Sequence, residues 1–129
     1  MINSNVYDYV NVLDKAMDAA ALRNQALANN IANATTPGYK RQDVSFESEL
    51  GKALGHNRSK SMDEKVGNVK LNRLKPRTFT DYDQYSYRLD GNNVDPDMEG
   101  VELAANQVKY NGLMDAVNQE FANLKMVTK

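Results

Sequence analysis

Apolar and small residues recur at Val6, Val10, Leu13, Met17, Ala20, Leu27, Ile31 and Ala34, in alternating steps of four and three broken once, at Asn24. This is a heptad seam, the pattern of a helix that lays one stripe against another helix. It predicts a helix over residues 6–34, about 43 Å long at 1.5 Å per residue. The far end of the chain repeats the theme. Leu103, Tyr110, Val117 and Leu124 fall seven apart, with Met114 and Phe121 at the alternate seam positions and polar Gln107 and Thr128 completing that series. Val94, Met98, Val101, Ala105 and Val108 form a second, offset stripe, so the early part of this helix is expected to bury a different face from the late part, or both. Its start is well marked. Asp95 can cap the free N–H groups, Pro96 suits the first helical position, and Asp97 and Glu99 favour the positive end of the dipole. Lys125 and Lys129 suit the opposite end.

Residues 36–93 read differently, with Gly, Ser, Asn and charge in place of a seam. Val44, Phe46, Leu50 and Leu54 predict a short helix near 45–54, while Tyr85, Tyr87 and Leu89 alternate like one face of a strand before the turn residues DGNN at 90–93. Residues 55–77 carry too little apolar surface to offset the entropy of ordering them, which predicts a mobile loop until a partner binds. The expected fold is therefore mainly α: residues 1–35 together with 95–129 form a discontinuous coiled-coil unit, and 36–94 form a small irregular or β insert.

Composition narrows the function more than the fold. The chain has 129 residues, a net charge of −1, no Cys and a single histidine, His56. Disulfides, thiolate metal sites and a Cys nucleophile are excluded, and a His-rich metal centre with them. No apolar run approaches the roughly 18–20 residues of a membrane span, and the first twenty residues lack the basic and apolar regions of a signal peptide. Charge is segregated: residues 52–77 hold eight Lys/Arg against two acids, and residues 78–104 hold seven acids against one Arg. The two blocks are expected to pair with each other or with neighbours.

Asparagine is the unusual feature. Asn24, Asn29, Asn30 and Asn33 lie on the first predicted helix, and Asn106, Asn111, Asn118 and Asn123 on the last. Each costs roughly half a kcal/mol against Ala in a helix interior. At a seam position such as Asn24, one amide fixes register by demanding a polar group across the interface. Off the seam, Asn29, Asn30 and Asn33 read either as a solvated face or as contacts to other subunits through a wet interface. The helix then stops at Thr36-Pro37-Gly38-Tyr39, where Pro-Gly at the two central positions fits a type II turn.

Two phrases carry a resemblance. ALANNIANATTPGYKRQDVSFESEL and LDGNNVDPDMEGVELAANQVKYN resemble the flagellar basal-body rod proteins, whose shared pattern runs an Asn-Asn-Ile-Ala-Asn helix end into Thr-Pro-Gly-Tyr. The matching positions are Asn29, Asn30, Ile31, Ala32, Asn33, Thr36, Pro37, Gly38 and Tyr39, then Asp90, Gly91, Asn92, Asn93, Val94 and Asp95. Short length and the Asp43–Glu47 run are most like the proximal-rod members. The resemblance is strong over residues 21–54 and 89–113. It implies a structural subunit of the axial drive shaft, packed through its terminal helices against further copies of itself and other rod and basal-body proteins. It also implies export without a cleaved signal by the flagellar type III apparatus. Helices weakened by Asn would then stay marginal as monomers and order only when neighbours complete the interface.

The expected assembly interface is Leu13, Met17, Asn24, Leu27 and Ile31 on one helix with Leu103, Tyr110, Met114, Val117, Phe121 and Leu124 on the other. No catalytic, cofactor or metal residues are expected: Glu47, Glu49, Asp63 and Glu64 sit in no pattern that desolvates a pair, and no phosphate loop or nucleophile motif occurs. Tyr82, Tyr85 and Tyr87 beside the basic block suggest base stacking, but Asp81, Asp83 and Asp90 among them would repel phosphate. No nucleic-acid partner and no membrane insertion are expected. The alternative reading is a coiled-coil adaptor or export-linked binding protein that closes into a fixed oligomer through the same heptads.

Overall fold

The computed structural model describes residues 5–55, 58–82 and 88–129, with side chains from Tyr7 onward. Val6, His56, Tyr85 and Tyr87, each singled out in the sequence, lie outside the described side chains. Two long helices, α1 (Asn5–Ala32) and α4 (Pro96–Val127), carry most of the fold. Between them come β1 (Gln42–Ser45), α2 (Glu47–Leu54), α3 (Met62–Gly67) and β2 (Arg77–Thr80).

The terminal helices pack on each other within one chain. Their direction follows from the hydrogen bonds: Asn30 meets Glu99, Arg23 meets Glu102, and Ala20 meets Asn106, so position rises along α1 as it falls along α4. The two form an antiparallel hairpin. Asp95 caps α4 as its sequence context predicts, accepting from the N–H groups of Asp97 at 3.0 Å and Met98 at 3.4 Å, with Pro96 at the first helical position.

On α4 the inward face runs Glu99, Leu103, Asn106, Tyr110, Leu113, Val117, Glu120 and Leu124, a heptad series in which every residue is buried or half-buried. The sequence placed Leu103, Tyr110, Val117 and Leu124 correctly but gave the alternate positions to Gln107, Met114 and Phe121. Met114 and Phe121 are 40% and 52% exposed. The step after Leu103 is three residues rather than four, because the facing groups are polar: Asn106 points to α1, and the apolar Met114 and Phe121 fall on the flank. The offset stripe is corrected in the same way. Met98, Val101, Ala105 and Val108 are all exposed, and only Val94 is buried.

On α1, Leu27 is fully buried, whereas Leu13, Met17, Asn24 and Ile31 are half-buried. A two-helix contact covers one side of each seam residue, and the insert adds an apolar core beside the middle of α1. There Ala19, Phe46 and Leu74 make the apolar core, with Ala16, Leu50 and Val69 against it.

The insert departs from expectation in three places. The helix near 45–54 begins at Glu47: Val44 is buried from an extended segment, and Phe46, the residue just before the helix, is buried too. That segment is β1, paired antiparallel with β2 so that Gln42 faces Thr80 and Ser45 faces Arg77. The expected strand at Tyr85–Leu89 is not seen where described: Leu89 sits in a turn, its side chain fully exposed. Within 55–77, Ser61 caps α3 by accepting from the Glu64 N–H, and Val66 and Leu74 are buried. Two apolar anchors give the segment local structure that its composition understates.

Candidate functional site

The Asn-rich end of α1, the turn after it and the DGNN segment before α4 meet in one polar cluster. Asn30 is at its centre and is 0% exposed. Its Nδ2 donates to the Gln42 carbonyl at 2.7 Å while its Oδ1 accepts from the Gln42 N–H at 2.8 Å, so the side-chain amide pairs with β1 as a neighbouring strand would. Nδ2 also donates to Glu99 Oε2 at 3.0 Å, and Tyr39 Oη donates to Oδ1 at 3.2 Å. Burial, and next the Glu99 charge, push the Tyr39 hydroxyl pKa up. Both early readings of Asn30, solvated or meeting another subunit, are therefore corrected: its four contacts lie inside the chain. Asn29 and Ala32 are exposed, and Asn33 turns back to donate to the Asn29 carbonyl at 2.8 Å.

Arg41 provides the charge that balances Glu99. Its Nε donates to Glu99 Oε1 at 2.6 Å, Nη1 to Asp81 at 2.7 Å and Nη2 to Asp43 at 3.4 Å. Burial acts to lower the Arg41 pKa, but the hydrogen bonds and charges of Glu99, Asp81 and Asp43 outweigh it and raise the pKa above its ordinary value. Arg23 extends the network from α1, reaching Asp43 at 2.9 Å and Glu102 at 3.3 Å. Buried charge is tolerated here because each carboxylate oxygen facing inward has a donor.

A second half of the cluster closes the end of α1. Helix termini leave backbone carbonyls without partners, and Asn92, itself fully buried, supplies them from the far side of the insert. Its Nδ2 lies 2.9 Å from the Asn33 carbonyl, 3.1 Å from Ala34 and 2.9 Å from Thr36, and Arg88 adds a donor to Ala34 at 2.6 Å. The predicted type II turn is present: Gly38 has φ +73° and the Tyr39 N–H bonds the Thr36 carbonyl at 3.3 Å. Gly38 then donates to the Asp90 carbonyl at 2.7 Å, Lys40 donates to the Gly91 carbonyl, and Asn93 takes the Arg41 N–H at 2.7 Å. A Cβ on Gly91, whose φ is +75°, would stand 3.9 Å from the Gly38 Cα, so the two loops cross at their glycines.

Lower in the hairpin, Asn24 behaves as a seam amide should. Asn106 Nδ2 donates to its Oδ1 at 2.7 Å and to the Ala20 carbonyl at 2.8 Å, which pins the register of α1 against α4. The polar group that Asn24 demands belongs to the same chain. Of the residues that matter here, Arg23, Arg41, Asp81, Arg88, Glu99 and Asn106 were not picked out from sequence as site residues. Glu99 and Asn106 carried a signal, since they stand four before and three after Leu103, at seam positions.

Together these features define a structural class: an antiparallel two-helix rod element whose connecting insert is clasped to both helices by amides and one buried arginine, with apolar faces left open on its outside. The sequence profile of the flagella basal body rod proteins matches residues 11–40, which take in most of α1 and the turn after it. The chain is similar to the flagellar basal body rod protein FlgB of Bacillus subtilis, at 34% identity over 89% of this chain and 88% of that one. It is likewise similar to FlgB of Borrelia hermsii, at 33% over 97% and 99%, and to FlgB of Escherichia coli K12, at 31% over 88% and 87%. The chain belongs to the flagellar basal-body rod protein family.

Proposed function

We propose that this chain is a structural subunit of the flagellar basal-body rod that joins its neighbours through the outer faces of the α1–α4 hairpin. The observation that carries this reading is the uncovered stripe on α4, where Met98, Val101 and Val108 are 52%, 63% and 73% exposed. A helix pays for such a surface in solubility unless another surface covers it. Met114 and Phe121 are exposed on the opposite flank of the same helix and offer a second apolar surface. In this reading the segments 1–35 and 95–129 act as one unit, and the insert 36–94 fixes its shape. Because the inward seams are already filled by the chain's own second helix, the closed coiled-coil adaptor loses the heptads it would need.

Export by the flagellar type III apparatus without a cleaved signal belongs to the same proposal and takes its support from family membership. The test is the pair Val101→Glu and Val108→Glu. Both positions are exposed, so each is expected to change folding stability by no more than about 0.5 kcal/mol, while the doubly substituted chain is absent from purified basal bodies. Normal incorporation of a folded double variant would overturn the interface.

A further inference from the structure

Among the described residues, the acidic block of the sequence draws its ion pairs from outside the basic block. Five of its seven acids are used by arginines outside the basic block or as a cap: Asp81 and Glu99 hold Arg41, Glu102 holds Arg23, Asp90 holds Arg88, and Asp95 caps α4. The basic block is left over. Among the described residues, Lys65, Lys70, Arg73, Lys75 and Arg77 have no ion-pair partner. Lys52, Lys70 and Arg73 line one groove of about 330 Å³ between α2 and the segment after α3, with Glu49 the only acid among the described residues that line it and Leu74 at its floor. Glu49 is paired with Lys52 at 3.0 Å, which leaves Lys70 and Arg73 uncompensated in the groove.

Elsewhere the same chain carries an unpaired feature of opposite sign. Asp14 and Asp18 are exposed on α1, one helical turn apart, and no ion pair holds either of them. Like charges at this spacing repel each other on an isolated helix. Glu47 is engaged with Lys109, Glu49 with Lys52, Asp63 with Tyr9 and Glu64 with Lys60. Asp8, Asp97, Asp115 and Glu120 also have no ion pair among the described residues, but no two of them stand one helical turn apart.

We infer that the Lys52–Lys70–Arg73 groove receives the Asp14–Asp18 turn of a second copy of this chain, a head-to-tail contact between charged faces. The inference rests on the rod-subunit reading and deepens it by naming one partner surface. The match is in sign and in number: two carboxylates on one turn meet two uncompensated cations in one groove. A patch that meets a different patch on the next copy propagates without closing on itself, and contacts of this kind set register more than affinity.

Two experiments test it. Purified basal bodies treated with a carbodiimide, which condenses an amine with a carboxylate that touches it, should yield a dimer-sized product whose peptides join Lys52 or Lys70 to Asp14 or Asp18. Links from these lysines to carboxylates of another protein only, or no such link, would overturn the inference. In the second, Lys70→Asp/Arg73→Asp and Asp14→Lys/Asp18→Lys should each lower incorporation at least tenfold while circular dichroism stays that of the wild type. Combining all four should restore incorporation to within twofold. Normal incorporation of either pair, or no recovery in the combination, would also overturn it. Wild-type chain found in basal bodies alongside either negative result would leave the rod reading standing. Wild-type chain absent from basal bodies would remove that reading and, with it, the inference.

Discussion

Asn30→Ala isolates the clasp from the rest of α1. The substitution removes three hydrogen bonds to neutral groups, on the half-buried Gln42 and Tyr39, and one to the buried Glu99 carboxylate, all within 3.2 Å of an amide that is itself fully buried. A neutral bond contributes about 1 kcal/mol and one to a charged group about 2 kcal/mol. Alanine returns roughly half a kcal/mol through helix propensity. The net loss is therefore about 4.5 kcal/mol, a large part of the roughly 5–15 kcal/mol that keeps a domain folded. Asn29→Ala is the matched control: the neighbouring amide is exposed, so it should be neutral or stabilising by a few tenths of a kcal/mol. Urea unfolding of both variants and the wild type, followed by helical circular dichroism at constant m-value, measures the difference. A loss under about 1 kcal/mol for Asn30→Ala, or equal effects at the two positions, would refute the idea that this asparagine serves the fold of the single chain.

Three further outcomes follow from the same network. Arg41→Leu leaves Glu99 buried without its cation and should cost about 3–5 kcal/mol in the same unfolding assay, whereas loss of a solvent-screened pair would register far less. Asn92→Ala leaves the Asn33 and Thr36 carbonyls without this donor and Ala34 with Arg88 alone, and hydrogen exchange should show protection lost at the Gly38 and Asn93 amides while α4 beyond Leu103 is unchanged. Burial acts to raise the Glu47 pKa, but the hydrogen bond from Lys109, with the local backbone and the charges of Lys109 and Arg23, prevails and holds it below its ordinary value. Since the folded value lies below the unfolded one, the tie stabilises fully above the ordinary carboxylate range near pH 4.3 and is lost as pH falls through the folded value. The melting temperatures of the wild type and Lys109→Met should accordingly converge as pH is lowered from 6 to 3; a gap that stays constant would contradict this.

The long helices were legible because their seams repeat over several turns, and the cap at Asp95, the Pro37-Gly38 turn and the DGNN turn were legible because each rests on local chemistry. The choice between positions 106 and 107 was not, because a heptad search prefers Met114 and Phe121 to Asn106 and Glu99, and polar seam residues look like solvent face until a partner is seen across from them. Strand β1 was hidden for a similar reason: its neighbour β2 lies more than thirty residues away, and one of its sides is completed by the side chain of Asn30 rather than by a third strand. The clasp itself joins residues 23–43 to residues 81–106, and only their spacing within each half is written locally. Asparagine, read first as a weakness of isolated helices, proves to be what links those halves at Asn30, Asn92, Asn93 and Asn106. The fold is thus completed inside the chain, and what remains uncovered is the outer surface that a neighbour would meet.

The most direct test of the account is quantitative mass spectrometry of basal bodies purified from the source cell and stripped of loosely bound material. The account predicts this chain at a fixed ratio to the other rod components. Its absence there, with the chain recovered as a soluble oligomer of one fixed mass, would contradict the account and favour a closed coiled-coil adaptor.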